Sequence, residues 1–390
     1  MKLRKFGQVS LAIVLSLSSS LLVTACSNTS AIDFVFVTNS KSVPGKILVY
    51  KSDTHTGALI QIAEPTYDSG GTNPVAEAVS PNYENLYVVN RDSNDIVHFS
   101  IANGGQLTPQ DTVKTPGLFP MGVAVSPSGN FLYVTDTCIS GTTDILTCPG
   151  ALVVYPLSAT GAIGPAVANL QVGIAPIGVS ALANGVAVYV VSKGGDTQLG
   201  RVYAFNAKTD GTLAPIGTGF VSAGVAPNAV VTDPTSRFLY TTDGAANQLI
   251  GYSISSSGAL TPMINGPFKT DLLPNGVTMD PRGYYIYVTN YNAATVSAYA
   301  IDTASGSPSQ VAGSGVTKTG PAPTCVVVEP ALGRYVYVSS FTDNTVSAFQ
   351  LNPHDGSLIT VQNQPFPGGG QPTCVASVPH GNHAIQAVGP

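Results

Sequence analysis

Short runs of alternating apolar and polar residues cover most of the chain, and this two-residue period predicts β-strands rather than helices. One run recurs seven times, rich in Val, Tyr and Leu and ending in a polar residue, as in Tyr-Val-Thr-Asn. Its copies are Phe34–Asn39, Leu86–Asn90, Leu132–Asp136, Val188–Ser192, Leu239–Asp243, Ile286–Asn290 and Val336–Ser340. A second apolar run such as "TVSAYAID" follows each copy after a polar gap, and a glycine turn such as "DGSL" follows six of them. Each repeat therefore contains two adjacent strands joined by a loop.

A third element also recurs seven times, and it begins with a proline that is followed two residues later by a small residue. The prolines are Pro74, Pro120, Pro176, Pro227, Pro274, Pro323 and Pro372, and the small residues are Ala76, Gly122, Gly178, Ala229, Gly276, Cys325 and Cys374. Small side chains let strands approach closely, as they must where sheets converge on an axis. Seven units of about 50 residues, each with several short strands, are typical of propellers. The sequence predicts an all-β fold, a seven-bladed β-propeller with four-stranded blades.

The order of the elements also predicts how the ring closes. The chain starts at a Tyr-Val type strand and ends just past a proline type strand, so the first blade lacks its inner strand. Pro372–Val378 can supply that strand, which would pair the N- and C-terminal strands and leave no open sheet edge between them. The segment "HAIQAV", His383–Val388, resembles a further strand and competes with the N-terminal copy. Which terminal strand closes the ring is left open at this point.

The first residues have the features of a targeting segment. Lys2, Arg4 and Lys5 form a positive start, an apolar run follows over 9–23, and the run ends in "VTAC". Small residues before Cys26 are typical of a bacterial lipobox, in which the cysteine is acylated and becomes the mature N-terminus. An ordinary secretory signal cut nearby is the alternative. We therefore expect a lipoprotein signal peptide over 1–25, a tether over 26–32 and the propeller over 33–390.

The balance of charge bears on partners and location. Removing residues 1–25 removes three basic residues and no acidic one, so the net charge falls from −5 to −8. No basic run remains, which argues against nucleic-acid binding. The membrane is expected to be reached through the lipid on Cys26 and not through a polybasic patch. We expect a monomer anchored in the bacterial cell envelope, facing the periplasm or the cell surface.

Four cysteines remain beyond Cys26, an even number in a compartment that favours disulfides. Cys138 and Cys148 lie in one long loop, and we expect a disulfide between them. Cys325 and Cys374 occupy the same small-residue position in consecutive repeats, so they should face one another across neighbouring inner strands. They either form a second disulfide or fill the small-residue position as thiols.

The repeats resemble the YVTN β-propeller repeat, and nearly all of residues 33–390 resemble the seven-bladed lactonase family, which includes 6-phosphogluconolactonase-like proteins and surface-layer propellers. The resemblance implies a sugar-lactone hydrolase, that is, a carboxylic ester hydrolase. Active lactonases of this fold carry His and Arg just after the inner-strand proline. The corresponding residues of this chain are Val75, Met121, Ile177, Asn228, Asn275, Thr324 and Thr373. The chain departs from that pattern in every blade.

The order of strands assigns the ligand-binding side. Loops between second and third strands share a face with the loops that lead into the inner strands, and the channel mouth they build is a ready cleft. The residues expected to bind a ligand there are Arg91, Asp92, Asp136, Lys193, Asn228, Asp243, Asn275, Asn290 and Tyr291. Such a neutral to acidic mouth suits a carbohydrate or a protein partner. The alternative is that the Asp and Asn residues are there because turns favour them.

Glu77 is the candidate for catalysis, because it replaces an uncharged residue of the other inner strands and a charge there is costly unless solvated or paired. Lactone hydrolysis needs a base and a positive group, but none of the five histidines is expected at the mouth. No cofactor or metal is expected. A divalent cation held by Glu77, Asn228, Asn275 and Asp243 is the open alternative. Two hypotheses follow: an envelope propeller that binds a carbohydrate or protein, or a sugar-lactone hydrolase.

Overall fold

The computed structural model describes residues 31–139, 144–196, 198–313 and 315–380. These residues form 31 β-strands and no helix, so none of them forms an apolar helix of membrane-spanning length. The strands make seven antiparallel sheets of four or five strands. The predicted all-β, seven-bladed propeller is confirmed. The signal peptide, Cys26 and the segment 383–388 lie outside the described residues.

The strands of the first four blades follow in chain order. Blade 1 begins with β1 (Ala31–Asn39), β2 (Lys46–Asp53) and β3 (Leu59–Asp68). Blade 2 contains β4 (Pro74–Val79), β5 (Asn85–Asn90), β6 (Asp95–Ile101) and β7 (Leu107–Lys114). Blade 3 contains β8 (Leu118–Val125), β9 (Phe131–Cys138), β10 (Pro149–Pro156) and β11 (Ala168–Ile174). Blade 4 contains β12 (Pro176–Ala181), β13 (Ala187–Ser192), β14 (Arg201–Ala207) and β15 (Leu213–Ser222).

In the last three blades the outermost strand is split into two short pieces. Blade 5 contains β16 (Pro227–Thr232), β17 (Phe238–Asp243), β18 (Gln248–Ile254), β19 (Leu260–Pro262) and β20 (Phe268–Lys269). Blade 6 contains β21 (Pro274–Met279), β22 (Tyr285–Asn290), β23 (Thr295–Ile301), β24 (Pro308–Gln310) and β25 (Val316–Lys318). Blade 7 contains β26 (Pro323–Val328), β27 (Tyr335–Ser340), β28 (Thr345–Leu351), β29 (Leu358–Thr360) and β30 (Phe366–Pro367). The last strand, β31 (Pro372–Pro379), belongs to blade 1.

The ring closes through the two ends of the described chain. β31 is the innermost strand of blade 1 and pairs antiparallel with β1, with Phe36 opposite Ala376. The N–H of His380 also donates to the carbonyl of Ile32, at 2.8 Å. The prediction that Pro372–Val378 completes the first blade is thus confirmed. β1 begins at Ala31, two residues before the expected domain boundary at 33.

The second strand of each blade is buried on both faces, because it lies between two neighbouring blades. In β1, Val35 and Val37 pack against blade 7, whereas Phe34 and Phe36 pack against blade 2. The buried apolar side chains form seven such clusters, one at each interface between blades. Alternate side chains of each second strand therefore pack against two different neighbouring blades.

In five of the seven blades, a tyrosine of the Tyr-Val motif forms a hydrogen bond to the next blade. Tyr287 Oη donates to the carbonyl of Gly356 at 2.9 Å, and the same bond joins Tyr87 to Gly161, Tyr189 to Gly258, Tyr240 to Gly306 and Tyr337 to Gly57. The acceptor is the glycine of the turn after the third strand of the next blade. Gly356 has φ +78°, and a Cβ on it would lie 2.2 Å from the ring of Tyr285. The tyrosines of the motif therefore contact the turn glycine of the next blade directly.

We predict that Tyr287→Phe lowers the free energy of unfolding by about 1 to 3 kcal/mol, because it leaves the buried Gly356 carbonyl without its donor. The measurement is urea unfolding followed by circular dichroism. Tyr284→Phe is the matched control, since that tyrosine is 37% exposed, and its expected change is within about 0.5 kcal/mol. Equal effects of the two substitutions would show that the bond between blades contributes nothing.

Candidate functional site

A cavity of about 900 Å³ opens on the axis, where the seven inner strands meet. It is lined by the first residues of each inner strand, by the loops that lead into them and by the loops between second and third strands. The cavity opens on the face of the propeller where the sequence predicted the binding cleft. Seven of the candidate residues line it, namely Glu77, Arg91, Asp92, Lys193, Asn228, Asn275 and Tyr291.

In six of the seven blades, the first residue after the second strand lies at the rim end of the cavity, whereas in blade 3 the second strand continues to Cys138. In the six blades, the N–H of this residue donates to the carbonyl of the residue that precedes the inner-strand proline. The pairs are Ser40 to Gln371, Arg91 to Asn73, Lys193 to Ala175, Gly244 to Ala226, Tyr291 to Leu273 and Phe341 to Ala322, at 2.8–3.1 Å. Most of these acceptors have a positive φ near 55°, which is uncommon for residues other than glycine. These backbone hydrogen bonds therefore fix the position of the Cα atom from which each rim side chain extends.

Below the rim, the residue after each inner-strand proline forms a ring with two different arcs. Val75, Met121 and Ile177 form an apolar arc, and Asn228, Asn275, Thr324 and Thr373 form a polar arc. Each polar side chain reaches the next blade: Asn228 Nδ2 donates to Pro274 O at 2.9 Å, Asn275 Nδ2 to Thr324 O at 3.0 Å, Thr324 Oγ1 to Pro372 O at 3.2 Å and Thr373 Oγ1 to Pro74 O at 2.7 Å. Since the amide nitrogens are used in this way, the Oδ1 atoms of Asn228 and Asn275 are left as acceptors for a ligand.

The polar arc and the rim contain lining residues that the sequence analysis did not select. Thr324 and Thr373 are equivalent to Asn228 and Asn275 in the repeat, and Ser40 and Phe341 are equivalent to Tyr291. The repeat register alone could have identified all four, because the selection was made by chemical type and not by position.

At the third position after the proline, six inner strands carry valine: Val123, Val179, Val230, Val277, Val326 and Val375. Blade 2 carries Glu77 instead. Glu77 is 9% exposed, neither carboxyl oxygen is accessible, and the Ala376 N–H near them does not form a well-aligned hydrogen bond. Burial and, secondarily, the negative charge of Cys325 raise the pKa of Glu77 well above its ordinary value of 4.5, and the nearby Ala376 amide offsets this only in part. Because both carboxyl oxygens are inaccessible from the cavity, Glu77 cannot contact a ligand directly in this structure.

Two basic side chains reach the rim, and their surroundings differ. Arg91 Nε donates to Asp92 Oδ1 at 2.7 Å, and Asn73 Nδ2 donates to the other oxygen of Asp92 at 3.0 Å. This neutralises much of the charge of Arg91 and, through the hydrogen bonds to Arg91 and Asn73, lowers the pKa of Asp92. Lys193 is exposed and makes no ion pair with any described residue. Lys193 is therefore the group best placed to meet an anionic part of a ligand.

The structure corrects three of the candidate residues. Asp136, Asp243 and Asn290 are fully buried and do not line the cavity. Each is the last residue of the Tyr-Val motif; the two aspartates hold loop backbones, and Asn290 bonds to side chains of the third strand. Asp136 accepts from the Gly117 amide, Asp243 accepts from the amides of Val225 and Ala226, and Asn290 donates to the hydroxyls of Thr295 and Ser297.

Burial raises the pKa of Asp136 to about 6. Asn or Asp at the end of the Tyr-Val motif thus forms hydrogen bonds inside the protein at these three positions and does not face the cavity.

The described histidines lie away from the cavity, as predicted. His55 and His354 are in exposed turns, and His380 packs edge-on against Phe34 with ring centroids 4.9 Å apart. His98 is buried between Asp111 and Asn85 of the same blade, at 2.6 and 2.8 Å, and Asp111 in turn accepts from the Ile163 N–H of blade 3. Among the described residues, no three His, Cys, Asp or Glu side chains come together in a way that could hold a metal ion.

The four described cysteines form two pairs, of which one is a disulfide. Cys138 and Cys148 form the predicted disulfide, with Cα atoms 5.3 Å apart. Cys325 and Cys374 face one another across the inner strands of blades 7 and 1, as predicted, and are thiols in this structure. Both line the axial cavity.

This architecture matches that of a known protein family. The family model for lactonase, 7-bladed beta-propeller, matches residues 34–140 and 182–328, more than half of the chain. The chain belongs to this lactonase family. A comparison with curated protein sequences finds no match.

Several solved structures are similar to this lactonase-family propeller. A periplasmic gluconolactonase of Pseudomonas aeruginosa is 18% identical with a TM-score of 0.75, over 90% of this chain and 100% of the other. A candidate 6-phosphogluconolactonase of Bacteroides fragilis is 19% identical with a TM-score of 0.74, over 90% and 99%. One from Bacteroides uniformis is 19% identical with a TM-score of 0.74, over 89% and 100%. At these identities the likeness is one of fold.

Proposed function

We propose that this lactonase-family protein binds a sugar lactone, or the sugar acid to which it opens, in the axial cavity. The observation that carries the proposal is the division of the cavity into two sides. One side offers Asn oxygens and Thr hydroxyls, and the other is apolar. A sugar ring has the same two kinds of surface, with hydroxyl groups at its edge and C–H groups on its faces.

The rim supports an acidic or carbonyl-bearing sugar over a neutral one. Tyr291 and Phe341 offer aromatic surface beside the polar arc, on which the C–H face of a sugar can lie. Lys193, without an ion pair among the described residues, can donate to a carboxylate or to a lactone carbonyl. Two phosphate-binding groups would be expected for a phosphorylated sugar, but Arg91 is already committed to Asp92.

Ring opening of the lactone is the second candidate function, and membership of the lactonase family favours it. Attack on the carbonyl places negative charge on its oxygen, and a nearby cation stabilises that charge. Lys193 can fill this role at the rim. A base that contacts the water is not provided by Glu77 in this structure, because both of its oxygens are closed off.

We predict that Lys193→Ala weakens binding of gluconate or glucono-1,5-lactone by about 10-fold or more, since a hydrogen bond to a charged group contributes about 1.5 to 3 kcal/mol. Isothermal titration calorimetry measures the affinity, and Lys208→Ala on the opposite face is the matched control. Equal affinity of wild type and Lys193→Ala, or no binding of either sugar, would refute the proposed site.

A pH-stat assay with the same lactone separates the two functions. Proton release faster than the spontaneous rate, and slowed by Lys193→Ala, would establish hydrolysis. Binding without acceleration would leave the protein a sugar-binding propeller. The assay needs no assumption about the catalytic base, and Glu77→Gln tests whether that residue contributes through its charge.

The proposal includes a location in the cell envelope. The basic start, the apolar run and "VTAC" support lipid attachment at Cys26, and the Cys138–Cys148 disulfide supports an oxidising compartment. We expect Cys26→Ala to abolish incorporation of a labelled fatty acid and to release the protein from the membrane fraction. Unchanged labelling would refute the anchor.

A further inference from the structure

Two cysteines meet in the wall of the axial cavity, on β26 of blade 7 and β31 of blade 1. Cys325 and Cys374 occupy the small-residue position, where neighbouring inner strands approach closely. A Cβ placed on Gly276, the equivalent residue of blade 6, would lie 3.3 Å from the Cα of Cys325. The two Sγ atoms are 2.8 Å apart. A disulfide bond is about 2.05 Å long, so a small movement is enough to join them.

Both cysteines lie in the wall of the cavity. Cys325 and Cys374 are half-buried, and both line the 900 Å³ space that opens at the rim. The other cysteine pair, Cys138 and Cys148, is already joined. The pair in the cavity is therefore the reduced dithiol that a small oxidant entering from the rim would meet.

Glu77 lies on β4 of blade 2, the next inner strand round the ring, and provides a third chemical group. Both of its oxygens are buried and have no hydrogen-bond partner. The charge of Cys325 adds to burial in raising the pKa of Glu77, and the charge of Glu77 contributes to raising the pKa of Cys374. A carboxyl of raised pKa is a stronger base than an ordinary one, and so is better matched to a thiol.

The two thiols are not equivalent. Either sulfur can donate the hydrogen bond that joins them. With Cys374 as the donor, this bond lowers the pKa of Cys325 and raises that of Cys374. The thiolate is the reactive form of cysteine. Cys325 is therefore the sulfur that attacks first, and Cys374 is the sulfur that resolves.

We propose that Cys325, Cys374 and Glu77 form a redox-active dithiol site, which reduces a small disulfide of the glutathione class inside the axial cavity and closes into a disulfide between blades 7 and 1. Nothing in the proposed sugar binding requires it. Closure would tie β31, the strand that completes the ring, covalently to blade 7.

The steps balance in atoms and electrons. The Cys325 thiolate attacks one sulfur of the oxidant R–S–S–R, breaks that bond and releases R–S⁻, which takes up the proton that Cys325 had lost. Cys374 passes its proton to Glu77 and attacks Cys325 Sγ, which expels the second R–S⁻. That thiolate receives the proton from Glu77. The protein loses two electrons and two protons, and R–S–S–R becomes two R–SH.

The test follows the folded, reduced protein in oxidised glutathione, with alkylation and mass mapping to distinguish the two cysteine pairs. We expect a Cys325–Cys374 disulfide that reduced glutathione reverses. Cys374→Ala should accumulate glutathione on Cys325, and Cys325→Ala should react at least 10-fold more slowly. Alanine is the residue of this position in two other blades, Ala76 and Ala229, so both variants are expected to fold.

Glu77→Gln tests the proton transfer. The first step should keep its rate, whereas closure of the mixed disulfide should slow by at least 10-fold. Closure is also expected to raise Tm by about 5 °C or more, because it constrains a loop of 49 residues in the unfolded chain.

Three results would each overturn the proposal: no reaction of the folded wild type with oxidised glutathione, a Cys325–Cys374 disulfide that excess reduced glutathione leaves intact, or unchanged closure in Glu77→Gln. The first two need no variant, so a folding defect cannot obscure them.

Discussion

A chain that ends after Gln371 is expected to lose cooperative folding, because it lacks β31. Without that strand, β1 loses its pairing partner from Asp33 to Asn39. Val375 and Val378 leave the clusters that join blade 1 to blades 7 and 2. Each valine contributes about 1.5 to 3 kcal/mol by burial, and each ladder hydrogen bond about 1 kcal/mol. The expected loss, more than about 5 kcal/mol, is comparable to the whole stability of a typical domain.

Urea unfolding followed by circular dichroism, together with size-exclusion chromatography, measures this loss. The matched control is a chain that ends after His380, which keeps every described strand. A synthetic peptide covering 372–380 should restore cooperative unfolding when added to the shorter chain, since it supplies the missing strand. If the chain ending at Gln371 unfolds with the midpoint of the control, closure by β31 is not what holds the ring together.

Glu77→Val is expected to stabilise the protein by about 1 to 3 kcal/mol at pH 8. The substitution removes a buried polar group without partners and completes a ring in which the six equivalent residues are already valine. The pKa of Glu77 is raised in the fold, so its contribution to stability is present below its ordinary value of 4.5 and is lost as the pH rises through its folded pKa. Wild type should therefore lose stability from about pH 4.5 upwards relative to the variant.

Urea unfolding at pH 4.5 and pH 8 tests this sign. Glu77→Gln should show only the pH-dependent part of the gain, since it removes the ionisation but keeps unpaired polar atoms. Glu64→Gln, at an exposed position, is the control for a lost surface charge. A gain that does not grow with pH would mean that Glu77 finds a partner in solution. A stabilised variant with slowed thiol closure would show that the wild type retains an unfavourable residue for its chemistry.

Much of the fold could be predicted from the sequence, because the repeats share the same pattern of strand and turn residues. Seven Tyr-Val runs, seven proline strands and the glycine turns predicted the number of blades and the closing strand. The same repetition concealed which residues line the cavity. Asp136, Asp243 and Asn290 were of the right chemical type, but they are buried and form hydrogen bonds inside the protein. Thr324, Thr373 and Phe341 were of ordinary type and nevertheless line the cavity.

The sequence by itself determined the seven-bladed architecture, the face that carries the cavity and the meeting of Cys325 with Cys374. These depend on strand order and on repeat register, which are written in the spacing of Pro, Tyr and Gly. Only the tertiary structure decided which polar groups are buried and which face the axis. That outcome depends on how neighbouring blades pack: the sequence places Glu77 on an inner strand, but the surrounding blades determine that its oxygens are closed off beside two thiols.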